Sequence, residues 1–266
     1  MDDAVHTARE MWTLFEPVHA VTYFSPQGRA GYEQAGLRGF WRGYFAGRAA
    51  PLGTAAAAVV TAAFGNFAPS MVGRAIPSIW DLITPEEALR ARLAGAVDGL
   101  GVLLAGLEPP VPTAARLLTQ VIGELDCTGR TLASANAALP WPDEPVARLW
   151  HAATLLREHR GDGHLAALVA ADLDGAEALV LRAGKDLRRE DLQPVRGWTD
   201  EQWDDARGRM QARGWLDRDA RLTADGAAAH RRVEEATDLA AARPWLVLST
   251  DDLADLRRTQ IGRAHV

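Results

Sequence analysis

One cysteine, Cys127, among 266 residues leaves no internal disulfide and no thiolate set for a Cys-based zinc site, which fits a reducing compartment. No apolar stretch is long enough to span a bilayer. The amino end, Met1-Asp2-Asp3, lacks the positive start and apolar run of a signal peptide, so a cytoplasmic protein without membrane contact is expected. Positive charge is not in excess either: 29 Lys and Arg stand against 35 Asp and Glu, for a net charge of -6. That balance disfavours the phosphate backbone of nucleic acid. There is no Gly-rich phosphate loop, no Gly-x-Ser-x-Gly elbow and no dinucleotide fingerprint, so no cofactor is expected.

What is present is helical. Alanine-rich runs with few β-branched clusters favour helices over strands, and 48% hydrophobic residues suffice for a real core. A first helix is expected over about Ala4 to Phe24, kinked at Pro17, and another over Tyr32 to Arg48. Thr84-Pro85-Glu86-Glu87 supplies a cap, a proline at the first helical position and a glutamate three residues after the cap, opening a helix with Leu89, Leu93, Ala96 and Val97 on its buried stripe. Pro109-Pro110-Val111-Pro112 reads as a linker. Asp143 caps a helix running to about Arg160. Gly161-Asp162-Gly163 then reads as a turn before short helices over Gly163 to Ala171 and Gly175 to Ala183, and Thr199 with Gln202 opens a helix to Arg213. Gly214 to Thr223 is spaced for a small hairpin, and a last helix covers about Ala224 to Ala241.

Helix, helix, helix, hairpin, helix over Asp143 to Ala241 resembles a winged helix-turn-helix of the MarR type. Arg213-Gly214-Trp215-Leu216 and Leu222-Thr223-Ala224-Asp225-Gly226 carry that likeness. The whole chain also resembles an uncharacterised actinobacterial helix-turn-helix family through Glu16-Pro17-Val18-His19, Tyr44 to Gly53 and Arg157 to His164. That likeness implies a fold and no activity. The expected fold is therefore mainly α, with a β-hairpin wing in the carboxyl half. At an offset of 109, Trp41 matches Trp150 and Arg48 matches Arg157, so the amino half reads as a degenerate repeat on which the winged half packs. The expected divisions are a helical domain over 1–108, a helical linker region over 109–142, the winged domain over 143–248 and a disordered tail over 249–266. The tail's last seven residues resemble a translated sequencing-adapter read and are set aside.

Polar groups lie on the apolar faces. With about 100° per residue, Glu16, His19 and Tyr23 share the face of Trp12, Arg48 ends the aromatic face of Trp41 and Tyr44, and Arg157 and Arg160 fall in the arc of Trp150. Glu158, His159 and His151 fall outside that arc. A guanidinium on a core-facing stripe must meet carboxylates, carbonyls or a bound anion. One reading is a pocket in which Arg48, Arg157, Arg160 and His164 hold a small anionic molecule between walls of Trp41 and Tyr44, as in a sensor or regulator. A second makes the same cavity an enzyme site, with His19 as acid or base, Glu16 orienting it and Tyr23 beside them. The plain alternative is a closed network in which Glu16 and Glu158 pair with Arg157 and Arg48. Glu16 and His19 have Glu-x-x-His spacing, but no second such pair occurs and arginines would repel a cation, so no metal is expected.

A DNA-binding regulator is the third reading, and charge opposes it. The residues from Trp141 to Gln260 hold 18 Lys and Arg against 23 Asp and Glu. The candidate recognition helix buries Trp203, Ala206 and Met210 and turns Asp200, Glu201, Asp204, Asp205 and Arg209 to water. The long last helix is a possible seam for a homodimer.

Overall fold

The computed structural model describes residues 2–105, 110–259 and 261. In chain order the helices are α1 (Asp2–Phe24), α2 (Pro26–Gln34), α3 (Phe40–Ala49), α4 (Ala57–Phe64), α5 (Pro69–Ala75), α6 (Pro85–Leu103) and α7 (Pro110–Ile122). They continue as α8 (Thr131–Ala137), α9 (Pro145–Ala170), α10 (Gly175–Ala183), α11 (Arg189–Arg196), α12 (Asp200–Ala212), α13 (Ala224–Ala242) and α14 (Thr250–Thr259). None is long and apolar enough to cross a membrane. The chain divides into two compact units interleaved in sequence. Residues 1–54, 78–162 and 238–266 make the first, and residues 55–77 and 163–237 make the second.

The first unit is built on α1, α6, α7 and α9. Met11, Phe15, Val18, Leu100, Leu117, Leu118, Leu149 and Trp150 fill its core. Where α2 crosses α6, a Cβ on Gly95 would stand 2.9 Å from the Gly28 Cα, so only glycine lets the two backbones approach that far. The capping box expected at Thr84 forms, with the Glu87 amide donating to Thr84 Oγ1 at 3.2 Å and the Thr84 amide donating to Glu87 Oε2 at 2.9 Å. Proline 17 lies inside α1, which runs on through it. The helix expected over Tyr32 to Arg48 is broken instead, because Gly36 and Gly39 take φ of +90° and +88° between α2 and α3.

The second unit holds α4 and α5 together with α10, α11 and α12, and Leu168, Leu173, Leu179, Val180, Trp203 and Met210 form a core within it. The α11–α12 turn is set locally. Gly197 caps α11 at φ +77°, and the Gln202 amide donates to Thr199 Oγ1 at 3.2 Å to open α12. The Trp198 indole donates to Asn66 O at 3.1 Å, tying that turn to the segment between α4 and α5.

The winged-helix expectation fails. Among the described residues there is no β-strand, and the expected hairpin forms only an isolated antiparallel bridge between Leu216 and Leu222. The two arms are too short for a ladder, and the Leu222 amide is drawn away to Gly184 O at 3.0 Å. Asp217 closes the tip by accepting from the amides of Asp219 and Arg221, both at 2.9 Å. The expectation of a MarR-type winged helix is thus overturned: among the described residues the fold is helical, with no wing.

Two further expectations are corrected. Gly161-Asp162-Gly163 is no turn but lies within the continuous α9, and Asp162 accepts from the Ala133 amide at 2.9 Å. The disordered tail expected from 249 is helical over α14, where Arg257 Nε and Nη2 each reach the Glu10 carboxylate at 2.7 Å. Of the residues matched to an adapter read, 260 and 262–266 lie outside the described residues, and Ile261 is buried in the first core.

Candidate functional site

The inward polar groups of the first unit converge, but on each other. Arg48, at the end of α3, donates from Nε to Glu158 Oε1 and from Nη2 to Glu158 Oε2, each at 3.1 Å. Arg157 Nη1 donates to the same Oε2 at 2.8 Å, and its Nε lies 3.9 Å from Glu16 Oε1. Glu16 in turn accepts from the Trp12 indole at 3.2 Å. Arg48 Nη1 is 3.4 Å from the Tyr44 hydroxyl. Two guanidiniums and two carboxylates therefore close on one another, with Glu158 2% exposed and Arg48 6% exposed.

Burial pushes the Glu158 carboxyl up, but the guanidiniums of Arg157 and Arg48 outweigh it and hold the group well below the usual carboxylate range. Burial drives His19 well below its ordinary value, assisted by Arg157, so the ring is neutral. Its Nδ1 lies 3.1 Å from Thr154 Oγ1, and its backbone carbonyl accepts from the Trp150 indole at 3.3 Å. Tyr23 is buried against His19 and Tyr44, with ring centroids 5.4 and 4.7 Å away, and burial raises its hydroxyl well above the ordinary value. His19 and Glu16 do not meet as an acid–base pair: Glu16 is engaged by Trp12 and Arg157, His19 by Thr154.

Arg160 is held apart from this cluster. Its Nη2 donates to Asp238 Oδ1 at 2.6 Å, Arg9 Nε takes Asp238 Oδ2 at 2.9 Å, and the Arg160 guanidinium lies over the Trp12 ring at 4.7 Å. Trp41 packs against Phe40 and Tyr44, with centroids 4.9 and 5.7 Å away. His164 belongs to the second unit, where its Nδ1 is 2.9 Å from Thr237 Oγ1. The hollow beside the aromatic rings, lined by Tyr23, Tyr32, Tyr44 and Phe40, measures about 20 Å³, room for one water. The expected anion pocket and the expected acid–base site are thus replaced by a filled ion-pair network. Among the described residues no three His, Cys, Asp or Glu side chains group as metal ligands.

The arc arithmetic misplaced Glu158, His159 and His151, all of which are buried. From Leu149 to Leu156 every residue of α9 is buried, so the helix has no water face in that stretch and a single stripe cannot sort its side chains. Arg92 was missed altogether. On α6 it is 4% exposed, with Nη1 donating to Gly47 O at 3.0 Å, Nη2 to Asn136 Oδ1 at 3.1 Å, and its guanidinium 5.2 Å from the Trp150 ring centre. The signal was its position four residues from both Ala88 and Ala96 on the small-residue face of α6.

The α11–α12 pair of the second unit presents the other candidate surface. On α12, Trp203, Ala206 and Met210 face the core, while Asp200, Glu201, Asp204 and Asp205 are exposed. The arginines around them are engaged. Arg189 reaches Asp200 at 2.6 Å and Asp204 at 2.9 Å, and Arg209 reaches Glu177 at 2.6 Å and Asp174 at 2.7 Å. Glu201 and Asp205 have no ion pair among the described residues.

A sequence family described as a helix-turn-helix family matches residues 8–262. No curated protein and no solved structure matches the chain.

Proposed function

This chain belongs to the helix-turn-helix family, and on that footing we propose that its α11–α12 pair docks a basic protein surface and does not read DNA. The observation that supports this is the exposed face of α12, where Asp200, Glu201, Asp204 and Asp205 stand outward. In a DNA-reading helix-turn-helix that face enters the major groove between two phosphate rows, and affinity comes from cations that release counterions. Glu201 and Asp205 stand there without an ion pair among the described residues and repel the duplex, while Asp200 and Asp204 are matched by Arg189 and Arg207. Arg189 is used up in matching Asp200 and Asp204, and Arg209 is drawn to Glu177 and Asp174, so neither is left to meet a phosphate.

A Lys- and Arg-rich protein surface is the complement of such a face, and opposed potentials speed encounter as well as hold register. Glu201 and Asp205 are the residues to change, since neither supports an internal ion pair. A lysine-rich helical peptide titrated into the full chain should bind with an affinity that falls as salt rises. The double variant Glu201→Gln/Asp205→Asn should keep its melting temperature and bind about tenfold more weakly. Equal binding by the folded variant, or no binding to the wild type at low salt, refutes the reading.

A further inference from the structure

The second unit contains a cavity of about 180 Å³, separate from the ion-pair network. We propose that this cavity binds a neutral, single-ring phenol. Leu165, Leu168, Leu179 and Val233 wall it, and His230 and Arg182 supply polar groups. An aliphatic-walled cavity of about 150 Å³ takes up benzene, so this one has room for a ring with one polar substituent.

The polar wall selects against charge. Arg182 Nε is 2.5 Å from Asp186 Oδ1, so its charge is already matched by a carboxylate of the protein. The Thr237 hydroxyl donates to Val233 O at 2.7 Å. Its oxygen must therefore accept from His164, which fixes the proton of that ring on Nδ1, 2.9 Å away. The Nδ1 of His164 is thus committed to Thr237. His230 makes no hydrogen bond to a described residue, and burial, aided by Lys185 and Arg182, lowers its ring below the ordinary histidine value. A neutral imidazole offers one donor and one acceptor, which is what a phenolic hydroxyl matches and a bare ring does not.

The inference does not depend on the docking surface, and the two are tested with different probes. Phenol, benzene and benzoate are titrated into the full chain by saturation-transfer NMR, with melting temperature as a second readout. Phenol should bind saturably with a Kd below about 5 mM and raise the melting temperature in proportion to occupancy, benzene should bind about tenfold more weakly, and benzoate should not compete. Ala178→Phe, which places a ring in the cavity, should abolish phenol binding, and His230→Phe should reduce phenol to the affinity of benzene. Absence of saturable phenol binding, undiminished binding to folded Ala178→Phe, or competition by benzoate overturns the proposal. Should Ala178→Phe not fold, His230→Phe decides: an unchanged phenol affinity overturns it.

Discussion

Arg48 grips Glu158 with two parallel hydrogen bonds of 3.1 Å across 110 residues of sequence, and Arg157, the neighbour of Glu158 on α9, adds a third at 2.8 Å. A carboxylate shared by two buried guanidiniums is the hinge of the first unit's electrostatics. Removing it leaves two like charges in a medium that screens them poorly.

Glu158→Gln should therefore destabilise the chain by about 3–5 kcal/mol, measured by urea unfolding. Arg48→Met combined with Glu158→Gln should recover part of that loss, because one buried charge goes with its partner. A Glu158→Gln variant within about 0.5 kcal/mol of wild type would mean that the network contributes nothing.

Acid should weaken the fold before the carboxylates titrate. Burial holds both His151 and His159 at about 4, whereas an unfolded histidine titrates near 6.5. Their stabilising contribution is therefore fully present above pH ~6.5 and is lost as pH falls towards 4, since over that window the unfolded chain binds protons that the folded chain refuses. Unfolding free energy should decline by about 1 kcal/mol per pH unit per histidine between those limits. His151→Gln/His159→Gln should flatten that slope. Glu158, held low, acts in the more acidic range: its contribution is present above the unfolded carboxylate value of about 4.3 and disappears as pH drops through its depressed folded value.

Much of this organisation was legible in the sequence, and its failures have definite causes. The capping boxes at Thr84 and Thr199 were readable because caps are local chemistry, and the water face of α12 was readable because that helix is buried on one side only. The fate of Arg48 and Arg157 was half readable: the residue types required anions, but whether those were solute or protein depended on Glu158, which the wheel turned outward. The wing was misread because Leu216 and Leu222 carry the right spacing, while the decisive bond, Leu222 to Gly184, joins distant segments. Gly161 and Gly163 suggested a turn, but the packed surroundings of α9 carry the helix through them at a cost of about 1 kcal/mol each.

The crossing of α2 on α6 offers a purely steric test. Gly95→Ala would place a methyl 2.9 Å from the Gly28 Cα, against backbone that cannot rotate aside. The variant should lose about 1–3 kcal/mol. Gly73→Ala, with open space around the new methyl, should cost no more than about 0.5 kcal/mol.

The α11–α12 turn should be equally exacting. Alanine at Gly197 would have to adopt φ +77° with its Cβ 2.6 Å from that of Met71, and should destabilise by about 1–3 kcal/mol. Thr199→Ala should cost about 1 kcal/mol by uncapping α12. Both are read by thermal unfolding.

Whether the acidic face of α12 seeks positive charge or tolerates phosphate is tested most directly by fluorescence anisotropy at about 50 mM salt, with a labelled mixed-sequence duplex and a labelled lysine-rich peptide each titrated with the intact chain. The account predicts saturable binding of the peptide, weakened by salt, and no rise in duplex anisotropy up to about 100 µM protein. Duplex binding with a negative salt slope and an indifferent peptide would contradict it.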